Sequence, residues 1–187
     1  PGTSPKDFKF FDYRQVNCYK DVAALAATKK IIGSITADYS LLIVSLGVWE
    51  TRKKEDCAEN KNDRTTASFP NSTHHRLTKA LDAMCRIQGP SLTVVWRTSG
   101  FQDKDDTGNA YLQDFNKISM DHIDGYIKTT NGNSNITYVD WGTEIWPRSN
   151  GEDRIKGDIE PHYGLEGRLL FLQLLMNELD IKKNSNN

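Results

Sequence analysis

The sequence predicts an α/β sandwich built on a mainly parallel sheet. Short β-type runs alternate with helical patterns along the chain, the order that generates strand–helix–strand crossovers of right-handed sense. Two of the runs, 41–46 (Leu-Leu-Ile-Val-Ser-Leu) and 92–96 (Leu-Thr-Val-Val-Trp), are largely apolar rather than alternating, the mark of strands covered on both faces. At 187 residues the chain has the length of one ordinary domain, 1–187, with enough residues to bury a core.

Taken in order, the first candidate strand is 8–13 (Phe-Lys-Phe-Phe-Asp-Tyr). Residues 18 to 32 follow with Val22, Leu25 and Ala26 at helical spacing. After the strand at 41–46, residues 51–72 are rich in Lys, Glu, Asp and Asn and read as a solvated loop, long enough to serve as a lid. A helix is predicted over 75–87, where Leu77, Leu81, Met84 and Cys85 share one side. Thr73 stands ready as its N-cap, and His74 and His75 fall in its capping region. The strand at 92–96, a helix over 109–127 with His122 in its middle, a strand at 136–141 and a helix over 165–179 complete the series.

Composition removes several function classes. With 24 basic and 25 acidic side chains the net charge is −1, which leaves no electrostatic footprint for nucleic acid or an anionic membrane. No apolar run approaches the roughly 20 residues that span a bilayer, and the first residues have no apolar signal-peptide core, so the chain reads as soluble. Cys18, Cys57 and Cys85 are too scattered for a zinc site or a disulfide scaffold and allow one bridge plus one free thiol. Two sequons, at Asn71 in a polar, loop-like stretch and at Asn135, can accept N-glycans if the chain enters a secretory lumen or is secreted. There is no His-x-x-x-His or Glu-x-x-His pair and no Gly-rich phosphate loop, so neither a metal nor a nucleotide cofactor is called for.

In a parallel sheet, ligands gather beyond the carboxyl ends of the strands. Three loops there carry Gly47 to Glu50, Arg97 to Phe101, and Gly142 to Trp146 leading on to residues 158–162. Gly47 is either a turn glycine or one whose N–H faces an oxyanion. Arg97 can grip a carboxylate or sugar hydroxyls, or pair with Glu50 or Asp140 to hold loops together. Trp96 and Trp141 belong in the core by default, whereas Trp49 and Trp146 lie beyond strands and offer stacking surfaces for sugar rings. The most suggestive stretch is Asp158-Ile-Glu160-Pro-His162, which delivers a histidine to the start of an apolar helix. A carboxylate just before a histidine can accept its Nδ1 proton and leave Nε2 free as a general base, half of a hydrolytic triad; the plain alternative is a histidine that caps or packs against the helix.

Residues 44–50 (Val-Ser-Leu-Gly-Val-Trp-Glu), 94–98 (Val-Val-Trp-Arg-Thr) and the 158–162 loop before an Arg-Leu-Leu helix together resemble an SGNH-type hydrolase, closest to the PC-esterase branch. The resemblance spans about residues 40 to 180 and rests on order and spacing. It implies a flavodoxin-like parallel sheet. In that frame Gly47 resembles the oxyanion glycine, Arg97 and Thr98 the Arg-Thr that follows the PC-esterase strand, His162 the base and Asp158 its partner. The pattern departs from the family in two places. The usual acid lies three residues before the histidine, where this chain has Ile159, so Asp158 or Glu160 must orient the ring. No Gly-Asp-Ser block precedes the first strand, which implies a nucleophile outside this chain, a substitute serine, or a domain that does not hydrolyse. Ser99 and Ser34 are the substitutes within the chain, and Ser99 is preferred because its loop should share the rim with His162.

A missing block would also remove a central strand, and an unpaired sheet edge favours rearrangement or a homo-oligomer. The resemblance implies a carbohydrate esterase or O-acyltransferase acting on acetylated polysaccharide. The contrasting expectation is a non-catalytic glycan-binding or interaction domain, and a weaker one is a nucleotide-sugar-dependent glycosyltransferase.

Overall fold

Within a computed structural model, the structure describes residues 18–27, 40–47, 50–51, 57–58, 69–88, 92–100, 106–145 and 165–185. The elements are α1 (Tyr19–Ala27), β1 (Leu41–Ser45), α2 (Phe69–Ile87), β2 (Thr93–Arg97), α3 (Asp106–Thr129), β3 (Ile136–Val139), α4 (Trp141–Ile145) and α5 (Leu165–Ser185). The predicted strand at 8–13 lies outside the described residues. The other three strands form one parallel sheet in the order β1-β2-β3, with Leu42 opposite Val94 and Val94 opposite Ile136. The chain is therefore α/β, with each parallel step made through a helix.

Side-chain alternation assigns the two faces. Leu42, Val44, Val94, Trp96, Ile136 and Tyr138 point into one core with Tyr19 and Val22 of α1, Leu77, Leu81 and Met84 of α2, and Phe115 and Ile123 of α3. Leu41, Val95 and Val139 point the other way, onto Phe171, Leu174, Leu175 and Leu179 of α5. The continuous apolar character of 92–96 follows: Val94 and Trp96 fill one core while Val95 fills the other, and all three are buried.

Local chemistry sets the element ends. At α1 the Cys18 N–H donates to Asp21 Oδ2 at 3.2 Å, a side chain in the first turn reaching back to the residue before the helix, where its negative charge also suits the helix dipole. Helix α3 ends where Asn131 (φ 51°) and Gly132 (φ 79°) turn left-handed and the Gly132 N–H donates to Ile127 O at 3.0 Å. Asp140 closes β3 and caps α4, its Oδ1 accepting the Thr143 N–H at 3.3 Å.

Four expectations need correction. Helix α2 begins at Phe69 rather than near Thr73. Pro70, suited to a first turn because it has no N–H to leave unpaired, starts the helix early. His74 and His75 are consequently inside the helix, His74 Nε2 meets Asp114 Oδ2 of α3 at 2.8 Å, and Thr73 Oγ1 accepts from Arg76 rather than capping. Asn71 is exposed on the first turn of α2, not in a loop. Trp141 opens α4 instead of ending β3. Within the polar stretch 51–72, Cys57 is fully buried and bonded to Cys18, and 69–72 belong to α2; Cys85 is a buried free thiol.

Candidate functional site

At the carboxyl ends of the three strands the chain builds a compact polar junction. Gly47, two residues beyond β1, has φ 139°, a conformation that L side chains rarely adopt. A Cβ there would overlap Ser99 Oγ and lie 3.1 Å from Tyr19 Oη. The sequence signal of a glycine after an apolar strand thus has a steric cause, because two hydroxyls occupy the space that a side chain would need.

Ser99 joins the ends of β1 and β2. It is 3% exposed and its Oγ donates to the Leu46 carbonyl oxygen. Its backbone is clamped by Asn116 of α3, which accepts the Ser99 N–H on Oδ1 and donates from Nδ2 to the Ser99 carbonyl, both at 2.9 Å. Thr98 joins β2 to β3. Its Oγ1 accepts the Gly142 N–H at 2.8 Å and donates to Asp140 Oδ1 at 3.1 Å. Gly142 is held so tightly that a Cβ would meet Asn116 Nδ2 at 2.5 Å and the Ser99 carbonyl oxygen at 2.6 Å. Gly47, Thr98 and Ser99 are therefore brought together, as the strand-end argument expects.

Arg97 faces the α5 side of the sheet. Its Nε donates to Ser45 Oγ at 2.8 Å, and its guanidinium lies 5.6 Å from the Trp141 ring centroid and 5.2 Å from that of Phe171. This is an aromatic cage that ties β1, β2, α4 and α5, drawing on the flat, weakly hydrated guanidinium. Trp96 and Trp141 are core residues, with Trp141 edge-on to Phe171. Asp158, Glu160, His162, Trp49 and Trp146 lie outside the described residues, as does Ser34. Asn135 precedes β3, and its N–H donates to Gln88 Oε1 at 2.6 Å.

Beneath Gly47 lies a charged pair that sequence reasoning places differently. Glu50 is 0% exposed, and its Oε2 accepts from Arg76 Nη2 at 2.8 Å. Its Oε1 accepts the Tyr19 N–H at 2.8 Å, and its own N–H donates to the Gly47 carbonyl at 3.1 Å. Burial pushes the Glu50 carboxyl above its ordinary value of 4.5, while Arg76 pulls it back down. The signal for the pair was in α2: Arg76 lies on the same helical side as Thr73 and Ala80, so a charge on the apolar stripe demands a buried partner. The Cys18 and Cys57 sulfurs lie within 4.8 Å of a Glu50 oxygen, but they are bonded to each other and so offer no thiolate to a metal.

Comparison with known proteins gives no match, whether to a family model, a curated protein or a solved structure.

Proposed function

We propose that the chain is an SGNH-like domain of the PC-esterase type, a carbohydrate esterase or O-acyltransferase working by a serine, histidine and acid mechanism. The observation that carries this reading is Gly47: an obligatory glycine two residues beyond a parallel strand, at the sheet edge where ligands of α/β folds bind, packed against Ser99 of the neighbouring strand end. In the proposed reaction His162 Nε2 takes the proton of a serine hydroxyl as the oxygen attacks the acyl carbon, and Asp158 or Glu160 holds the imidazole. The Gly47 N–H supports the oxyanion, and the collapsing intermediate expels the sugar hydroxyl, which regains the proton from His162. Water or a second sugar hydroxyl then releases the acyl group. Trp49 and Trp146 supply stacking surfaces for the glycan, while Arg97 and Thr98 act from behind, fixing the strand ends that position Gly47 and the loop after β3.

The Cys18–Cys57 bridge supports an oxidising compartment, the secretory lumen or beyond, and Asn71 is exposed to accept a glycan there. No helix among the described residues is long and apolar enough to cross a membrane. Ser99 is the described serine in contact with Gly47, and to attack it must release the Leu46 carbonyl. That commitment favours a second reading, a glycan-binding domain on the same scaffold. Turnover of 4-nitrophenyl acetate separates the two. The esterase reading predicts nitrophenol release that falls at least 100-fold in His162→Ala, and retained oligosaccharide binding without turnover by the wild type would establish the binding module instead.

A further inference from the structure

Tyr19 is a residue to which the foregoing gives no chemical role, and its placement is unusual. It opens α1, is 1% exposed, and its hydroxyl reaches the same face of Gly47 that Ser99 Oγ occupies, 3.1 Å from where a Cβ would stand. The ring is fixed by Trp96, stacked at 6.2 Å between centroids, and by Phe115, edge-on at 6.3 Å. Its backbone is fixed as well. The Tyr19 N–H donates to Glu50 Oε1, Glu50 in turn grips the Gly47 carbonyl through its own N–H, and the adjacent Cys18 is cross-linked to Cys57.

Glu50 is thus the common mount of Gly47 and Tyr19. A buried Glu–Arg pair contributes little net stability compared with an apolar packing of the same volume, so a positional role accounts for it better than stability does. Here Glu50 fixes the Gly47 carbonyl and the Tyr19 backbone N–H, and so sets the peptide at Gly47 against the start of the helix that carries the phenol. Preorganised donors of that kind stabilise developing negative charge without reorganising during the reaction.

We propose that the Tyr19 hydroxyl is a second hydrogen-bond donor to the reacting acyl oxygen beside the Gly47 N–H, with Glu50 as the positioning residue for both; this rests on the esterase or acyltransferase reading. The phenol O–H bond stays intact throughout and no proton is transferred. Burial and the nearby Glu50 carboxyl raise the phenol well above its ordinary value, so it remains a donor over the whole working range.

The test is Tyr19→Phe, which keeps the ring and deletes only the hydroxyl, assayed with 4-nitrophenyl acetate alongside wild type. The expected result is a fall in kcat of about 100-fold with KM within about twofold and an unchanged melting temperature. A variant with wild-type kcat overturns the Tyr19 assignment and leaves the esterase reading standing. A wild type that does not turn over overturns that reading and this assignment with it. If Tyr19→Phe does not fold, 3,5-difluorotyrosine at position 19 preserves the packing and acidifies the phenol. Because the phenol stays protonated, the stronger donor must then change kcat at neutral pH by about twofold or more with KM unchanged, and an unchanged kcat overturns the proposal.

Discussion

The two faces of the sheet are built to different standards. Against α1, α2 and α3, Leu77, Leu81, Val94, Ile123 and Ile136 are fully buried, and the polar groups at the strand ends are knitted by Asn116, Ser99, Glu50 and Arg76. Against α5, the buried apolar set is Val95, Val139, Trp141 and Leu175, while Leu169, Leu172 and Met176 of that helix stay 54%, 52% and 55% exposed and Ile43 of β1 stays 40% exposed. The α5 face is tied chiefly by the Arg97 cage and by Thr137 donating to Glu178. Precision is concentrated on the face that carries Gly47 and Tyr19, as expected if that face mounts a site while the other closes the core.

The comparison can be broken by mutation, beginning where the effect should be largest. Leu81→Ala on the first face should cost about 3–5 kcal/mol in urea unfolding, since the fully buried site cannot relax around the cavity. Glu50→Ala, which strands Arg76 as a buried charge, should also cost about 3–5 kcal/mol.

A pH series sharpens the Glu50 prediction. Its carboxyl is raised in the fold, so the native state holds the proton more tightly than the unfolded chain does. The contribution is fully present below the ordinary value of 4.5 and is lost as pH rises through the raised value. The stability difference between wild type and Glu50→Gln should therefore shrink as pH rises through that window. A difference that grows would mean that Arg76 outweighs burial.

Smaller effects follow. Reducing the Cys18–Cys57 bridge, which closes a loop of 39 residues, should lower stability by about 2–4 kcal/mol, read as a drop in melting temperature with dithiothreitol. Gly47→Ala should cost about 1–3 kcal/mol from backbone strain alone, with the overlap on Ser99 Oγ adding to it. On the opposite face Leu172→Ala should stay within about 0.5 kcal/mol. If it costs as much as Leu81→Ala, α5 is covered by something in solution and the contrast between the faces disappears.

Much of the scaffold is legible in the sequence. β1 and β2 fall within one residue of their predicted bounds, because an apolar run flanked by polar residues has few other uses. α2, α3 and α5 are placed correctly but run longer than their apolar patterns, since polar ends such as Asp106–Gly108 and Ile181–Ser185 carry no periodic signal, while α1 is described only over Tyr19–Ala27 of the expected 18–32 and the short α4 is not expected from the sequence. The early start of α2 at Phe69 is hidden in the sequence because Pro70 reads first as a breaker. Long-range partnerships escape single-sequence reasoning. Nothing local to Arg97 reveals that Trp141 and Phe171 will enclose it, or that Glu50 will find Arg76 across 26 positions. The sequence leaves Gly47 open between a turn glycine and an oxyanion donor; that Tyr19 and Ser99 exclude a side chain there emerges only from the fold.

The most direct test of the central claim is intact-mass analysis after exposure to a fluorophosphonate probe, on wild type, Ser99→Ala and His162→Ala. An activated serine beside Gly47 predicts one adduct per wild-type molecule and much slower labelling of His162→Ala, with Ser99→Ala showing whether Ser99 is the serine modified. A folded wild-type protein that takes up no adduct, while still binding oligosaccharide, would contradict the hydrolase reading and leave the strand-end junction as the frame of a binding site.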